Sequence, residues 1–544
     1  MRKVEVCLVA PALIGVAMVL AALPAAAQDV ATSGPIVYHQ TKHDVSLPLW
    51  LMARAPKPGP GEVNILIPEN RGQEVFVAAP TVHDPVADDP TAAGSPEVST
   101  KNLLNFDGIA QSQSICDCAP PDTEGVVGAT QYVQYVNTAY EVYDKTTGAK
   151  ILGPLAGNSF WSGFGGQCQN NDDGDPIVMY DKAAQRWVFA QNVFVTPYTV
   201  CIAVSTSSDA TGSYNRYSYS VGSVNFPDYP KWGVWPDGYY QSFNVFKNGA
   251  TLTGSEACAA DRNNMLAGNA APNFICFTTQ NGTTTAIQAN VLPSDLDGNT
   301  APPSGAPNYY LGLAGQTGNL NIFQFHTDFT TPANATFTGP TLITTAAFNE
   351  PCPTTLRNAC IVQPSPGEKL EALSDRLMYR LNYRNFGTYE SLLVTHTVTP
   401  ATGASTVAAA RWYEIRSPGS NPKVFQQGSV QFLTLASLWM GSIAQDKNGD
   451  IALGVSASGS NFDPGVIYYG RVPTDKLGTM ESPKLVVKGT GVQENTSNRW
   501  GDYSDMTVDP ADDCTFWYTQ EYIKTTGSFH WNTRVNSFRF NSCS

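Results

Sequence analysis

The residues best suited to chemistry are carboxylates that recur just before short apolar runs. Asp122 with Glu124, then Asp175, Asp228, Asp375 and Asp502, each stand at the start of a strand-like segment. Carboxyl groups that converge can work as a general acid and base pair, bind a cation, or cap turns. Glycoside hydrolysis needs two of them about 5–10 Å apart, one protonated and one ionised. Crowding like charges raises one pKa and so supplies the acid. Asp175, Asp228 and Asp502 lead for that role, with Glu124 and Glu371 in reserve. The plainer role for each Asp is to accept hydrogen bonds from the backbone of a turn.

Arginines form a second constellation. In RLMYRLNYRN, Arg380, Asn382 and Arg384 alternate, so a strand would carry them on one face, and Arg499 precedes the segment WGDY. A guanidinium suits bidentate seating of a substrate carboxylate; pairing with acids of neighbouring elements is the competing role. Trp232, Trp439 and Trp500 lie near turn ends. Their faces could stack on sugar rings or simply fill the core.

Three turns have the makings of cation sites, of which NNDDGD (170–175) is simply acidic and Gly-bent. DLDGN places Asp295, Asp297 and Asn299 at alternate positions, and DKNGD does the same with Asp446, Asn448 and Asp450. Alternating oxygen ligands around a Gly bend resemble the start of a calcium loop, so Ca2+ is the one cofactor expected. No phosphate loop, GxSxG elbow, dinucleotide fingerprint or HExxH occurs.

The elements that must position these residues are written in the composition. The 544 residues carry 46 acidic and 32 basic side chains, a formal net charge of −14. Asp outnumbers Glu 30 to 16, and Gly and Pro number 46 and 38. Only 14% of residues are charged, too few for a coiled coil or helical solenoid. The acidic balance argues against a nucleic-acid partner. With 42% hydrophobic and 11% aromatic residues, the chain can build a large core. A turn-rich all-β protein remains.

Arg2 and Lys3, the apolar run Leu8 to Leu23 and Ala25-Ala26-Ala27 read as a signal peptide over residues 1–27. Export predicts a secreted protein with no later transmembrane segment, expected to be a monomer. The ten cysteines after the leader then suggest disulfides. Near neighbours are the simplest pairs: Cys168–Cys201, Cys258–Cys276, Cys352–Cys360 and Cys514–Cys543. Cys116 and Cys118 are left to bridge each other or pair elsewhere.

Residues 28–104 are rich in Pro and Ala and read as an N-terminal arm and linker. From 105 to 544 the texture is strand, Asp-containing turn, strand. Hairpins of this kind fall at 122–148, 174–191, 228–244, 307–326, 374–396, 439–456 and 500–519. Seven units in 440 residues give about 63 each, which predicts a β-propeller, most simply seven-bladed. Six or eight blades, or a pair of β-sandwiches, are the alternatives.

The segments RWGDYSDMTVDPADDCTFWYTQEY (499–522), LPSDLDGNTAPPSGAPNYYLGL (292–313) and RLMYRLNYRNFGTYESLLVTH (376–396) resemble an uncharacterised group of large exported bacterial proteins. The blade layout is also distantly similar to sialidase-type, BNR-repeat propellers, with DKNGDIALG (446–454) the nearest approach to their repeat box. The resemblance implies export and a propeller. Together with the carboxylates it gives the expectation of a secreted propeller acting on an extracellular glycan as a glycoside hydrolase or polysaccharide lyase. The rival is a non-catalytic, calcium-stabilised adhesion or glycan-binding propeller.

Overall fold

The computed structural model describes residues 34–52, 65–66, 83–114, 118–279, 288–315, 318–352, 356–400, 407–432 and 436–543. The expected leader and Cys116 lie outside them. The described chain is all-β, with only short helices between strands.

Its strands fall into seven consecutive four-stranded antiparallel units. Their first strands are Glu124–Val127, Ile177–Asp181, Asn225–Val234, Leu292–Asp297, Met378–Asn385, Ser437–Gln445 and Asp505–Val508. We number the units one to seven in that order. The first strand of each unit touches the first strand of the next, and that of unit seven touches that of unit one. Between units four and five the contact is a parallel ladder, with Ser294 opposite Leu381 and Asp297 opposite Arg384.

Both faces of most strands are buried; Tyr198–Ser205 is buried at every position. A single small sheet cannot do this, so apolar residues on both faces require a neighbour on each side. The cores accordingly lie between units. Val133, Trp187 and Phe189 pack units one and two together. Trp517 stacks on Tyr132 at 4.9 Å and joins unit seven to unit one. Gly233 marks a close approach of first strands: a Cβ there would sit 2.5 Å from the Ser294 carbonyl.

Many surplus aspartates cap hairpin turns. Asp144 accepts from the N–H groups of Thr146 and Thr147, Asp181 from Ala184, and Asp512 from Cys514 and Thr515. Five of the seven expected hairpins coincide with the first two strands of a unit, and 122–148 takes in the first three strands of unit one. The seventh, 307–326, is instead the second and third strands of unit four, because Leu292–Asp297 precedes it.

The arm is threaded onto the units as extra strands. Gln40–Val45 adds to the edge of unit two, Ile36–Tyr38 to unit three and Ala87–Asp88 to unit five. Thr100–Ala110 is the fourth strand of unit seven, so a structural strand crosses the expected boundary near residue 105. The four expected disulfides are formed. Cys118 is disulfide-bonded as well. Among the described residues, no helix is long and apolar enough to cross a membrane.

Arm docking buries a titratable group. The Tyr38 hydroxyl donates to Glu256, 3.1 Å away in unit three. Burial pushes Glu256 up from 4.5 to about 7, and the Tyr38 hydrogen bond only partly opposes it. The folded state thus holds this proton more tightly than the unfolded state. The associated stability is complete below pH 4.5 and is lost as pH rises through about 7. Denaturant titrations should show it fall by about 3 kcal/mol across that window. Glu256→Gln should flatten the profile; an unchanged profile in that variant would refute the assignment.

Candidate functional site

The starts of the first strands converge, and strained backbone marks them. Asp122, Asp175, Tyr229, Leu373 and Met440 all have φ between 42° and 54° and belong to five different units. Left-handed backbone at non-glycine residues costs about 1–3 kcal/mol each and persists only where the surroundings enforce it.

Asp122 is the hub. Fully buried, it accepts from the Asp502 N–H at 2.6 Å and from the Asn137 side chain at 2.7 Å. The Asn137 carbonyl oxygen accepts from the Asp175 N–H at 2.8 Å. Asn137 thus links Asp122 to the Asp175 backbone, and the Asp502 backbone bonds Asp122 directly, so units one, two and seven meet at Asp122. Burial first, then the charge of Asp175, raises Asp122 to about 7, against the pull of Arg499 and its hydrogen bonds. Asp175 and Asp502 retain 6% and 3% exposure.

Beside them stands Lys231, which composition and spacing did not single out. Its ammonium lies 3.3 Å from the ring centroid of Tyr229 and 3.5 Å from that of Tyr503, a cation held between two aromatic faces. Burial lowers its pKa to about 7, although Asp175, Glu124 and Asp502 favour the charged form. The signal was present in DYPKW: Tyr229 and Lys231 alternate along the strand and face the cluster. Asp228, expected in that role, falls out of this alternation and lies buried opposite Asn244.

Glu124 lies deeper. Neither of its carboxyl oxygens accepts a hydrogen bond from a described residue, and it is fully buried. Burial and then Asp505 raise its pKa well above the ordinary range, while Lys231 and Arg380 oppose. Asp505 itself is pushed up to about 8, mainly by burial.

Several expected site residues have structural duties instead. Glu371 is fully buried and accepts from Arg499, Arg357 and the Trp500 N–H, so it is an ion-pair hub and not a reserve acid. Arg499 also reaches Asp502 at 3.5 Å. Arg380 spans Asp295 at 3.1 Å and Asp297 at 2.7 Å, and Arg384 grips Asp513 with two hydrogen bonds. No guanidinium of the three is left to seat a substrate carboxylate. Trp232, Trp439 and Trp500 are fully buried, the last two with ring centroids 5.3 Å apart, so none offers a face to a sugar. Asp375 is half-buried and pairs with Arg376 at 2.8 Å.

The expected cation loops also differ. Asp295 and Asp297 belong to a strand, where Lys182 and Arg380 already neutralise Asp297. Burial would raise Asp297, but Arg380, Lys182 and Arg384 outweigh it and hold the carboxyl below the ordinary range. Asn299 lies beyond that strand and is exposed. Asp446 caps its own turn by accepting from the N–H groups of Asn448 and Asp450, while Asp450 accepts from Ser542. Two further groupings of acids with cysteines involve only sulfurs already in disulfides, which removes them as metal ligands.

A recess of about 380 Å³, counting its opening to solvent, lies among the first strands of units one, two, four, five and seven. Val126, Met179, Leu296 and Val508 form its apolar wall, with Asp297 and Lys182 among its polar lining.

No family profile and no curated protein matches the chain. Solved structures give distant likenesses. An endo-arabinase from Bacteroides thetaiotaomicron is 12% identical over 54% of this chain and 92% of its own, with a TM-score of 0.27. An exo-beta-1,3-galactanase from Clostridium thermocellum is 8% identical over 78% and 91%, TM-score 0.30. The N-terminal domain of Nup159 is 8% identical over 85% and 100%, TM-score 0.34. The three score alike, and at TM-scores of 0.27 to 0.34 none carries an argument about this chain.

Proposed function

We propose that the seven units are the blades of one exported β-propeller, which acts on an extracellular polysaccharide where the first strands begin. Contacts between consecutive first strands, including those of units seven and one, support seven blades. One observation carries the activity: Asp122, Asp175 and Asp502 are drawn together from three units by direct hydrogen bonds through Asn137 and the Asp502 N–H. In this reading Asp175 and Asp502 are the reacting pair of a glycoside hydrolase. Asp122 is a positioning group behind them. Its proton near neutral pH limits the charge of the cluster, so that its neighbours can ionise.

The test is release of reducing sugar from a polysaccharide panel by the full chain and by Asp175→Asn and Asp502→Asn. Each substitution should lower the rate about 100-fold or more, the usual weight of a general acid or base. Melting curves establish that the variants are folded. Rates equal to the parent's, in folded variants, would overturn the assignment.

A second reading, a glycan-binding propeller without turnover, draws on the burial of Asp175 and Asp502, which leaves little of either carboxyl open to a reacting bond. It predicts binding to the same panel with no product.

A further inference from the structure

We propose that the recess among the first strands is a binding site for one uncharged sugar ring, separate from the acidic cluster. None of Asp122, Asp175 and Asp502 lines it, so the site stands whether or not that cluster cleaves a glycan. The recess is open to solvent, and its 380 Å³, opening included, lies at the low end of the about 300–1,000 Å³ usual for small-ligand sites. That size suits one ring and not a chain.

Charge decides the class of ligand. Four charged side chains of the lining are matched among themselves. Arg380 lies 3.1 Å from Asp295 and 2.7 Å from Asp297, and Lys182 lies 3.2 Å from Asp297. Two cations thus meet two carboxylates. Burial pushes the remaining acid, Asp505, up to about 8, so at neutral pH it adds no full charge. An arriving carboxylate or ammonium would bring a charge for which no counter-charge is left, and an unpaired desolvated charge is costly.

Polar atoms without a hydrogen-bond partner remain in the wall. Asp505 and Thr507 alternate on the first strand of unit seven and so share a face. They are 1% and 5% exposed, and both line the recess. Neither Asp505 Oδ1 nor Thr507 Oγ1 makes a hydrogen bond with a described residue, and Arg380 Nε, 3.7 Å from Asp505, is beyond that reach. Buried polar atoms are nearly always bonded, so two unbonded ones in the wall of an open recess point to a guest. Lys182, whose side chain keeps 15% exposure, has N–H groups beyond the one it gives to Asp297. The guest must therefore donate and accept at neighbouring atoms, as hydroxyls do. Val126, Met179, Leu296 and Val508 supply an apolar wall beside these groups. A sugar ring joins both needs in one molecule, with hydroxyls around its edge and C–H groups on its faces.

The test is calorimetric titration of the full chain with single sugars: galactose, xylose and arabinose as neutral rings, galacturonate and glucosamine as charged ones. At least one neutral ring should bind ~10-fold or more tighter than both charged ones. Thr507→Val, which removes the hydroxyl and keeps the shape, should weaken that binding about 5-fold. Lys182→Met leaves the lining with a net negative charge and should favour glucosamine at least ~3-fold relative to the neutral ring. If Thr507→Val does not fold, the Lys182→Met comparison still reads the effect. No heat from any neutral ring, as when the recess holds water only, would overturn the inference. So would a charged ring bound as tightly as a neutral one, parent-like affinity in Thr507→Val, or an unchanged order in Lys182→Met. Reducing-sugar release from polysaccharide, measured on the same preparation, tells loss of this site apart from loss of the glycoside hydrolase reading.

Discussion

A chain that begins at residue 111 is expected not to fold. Thr100–Ala110 is an eleven-residue strand that pairs antiparallel along Trp531–Phe540, from Thr100 opposite Phe540 to Ala110 opposite Asn532. Without it, the last strand of unit seven becomes a long open edge with unpaired backbone donors and acceptors. Its side chains also join units. Ile109 is fully buried, and its N–H donates to Gln134 of unit one at 2.8 Å. The Thr100 hydroxyl lies 2.6 Å from that of Tyr468 in unit six. Leu104 and Phe106 pack against the aromatic cluster between units seven and one. The loss should match or exceed the whole stability of an ordinary domain, about 5–15 kcal/mol. Circular dichroism and denaturant unfolding of the truncated chain give the answer. Cooperative unfolding at the full-length midpoint would refute a closing role for this strand.

Arg411→Met is the point substitution expected to cost most. Arg411 in unit five and Asp84 in the arm are both fully buried and paired at 2.5 Å. Arg411 also donates to Ser429 and to the carbonyls of Ala346 and Ala347. Removing the guanidinium leaves a buried carboxylate with its counter-charge gone, a loss of about 3–5 kcal/mol. An apolar pair of similar volume escapes that penalty, so adding Asp84→Leu to Arg411→Met should recover much of the loss. Denaturant midpoints at constant slope measure both. A single variant within 1 kcal/mol of the parent would show that Arg411 and Asp84 do not hold the arm down.

The two predictions expose a division between what lies in short stretches of chain and what does not. The hairpins were legible because alternating or continuous apolar runs and Asp-Gly turns are local. Asp144, Asp181 and Asp512 cap such turns within three residues of themselves. Unit four was displaced by one strand because the long segment from Asp297 to Asn308 hides the hairpin that precedes 307–326. Near-neighbour cysteine pairing succeeded for the same local reason: Cys258 and Cys276 stand opposite each other on adjacent strands.

The site was only half legible. Its acidic members announce themselves at recurrent strand starts, yet their partners come from far away in sequence: Asp502 rests on Asp122, 380 residues earlier. Burial decides whether an arginine seats a ligand or neutralises a neighbour, and no spacing rule reports burial. Arg380 alternates with Arg384 as expected, but the parallel ladder between units four and five sets it against Asp295 and Asp297. The tryptophans lie at turn ends in the sequence and inside the packed units in space.

By itself, then, the sequence determined an Asp-rich, all-β chain of recurrent hairpins with four close cysteine pairs, because turn chemistry, alternation and short loops act over a few residues. Only the tertiary structure decided which acids meet, which cations are already spent on them, and that the Pro-rich arm completes the units in place of trailing from them. Those outcomes depend on desolvation and on contacts across hundreds of residues, where free energy is set by what surrounds a group and not by what precedes it in the chain.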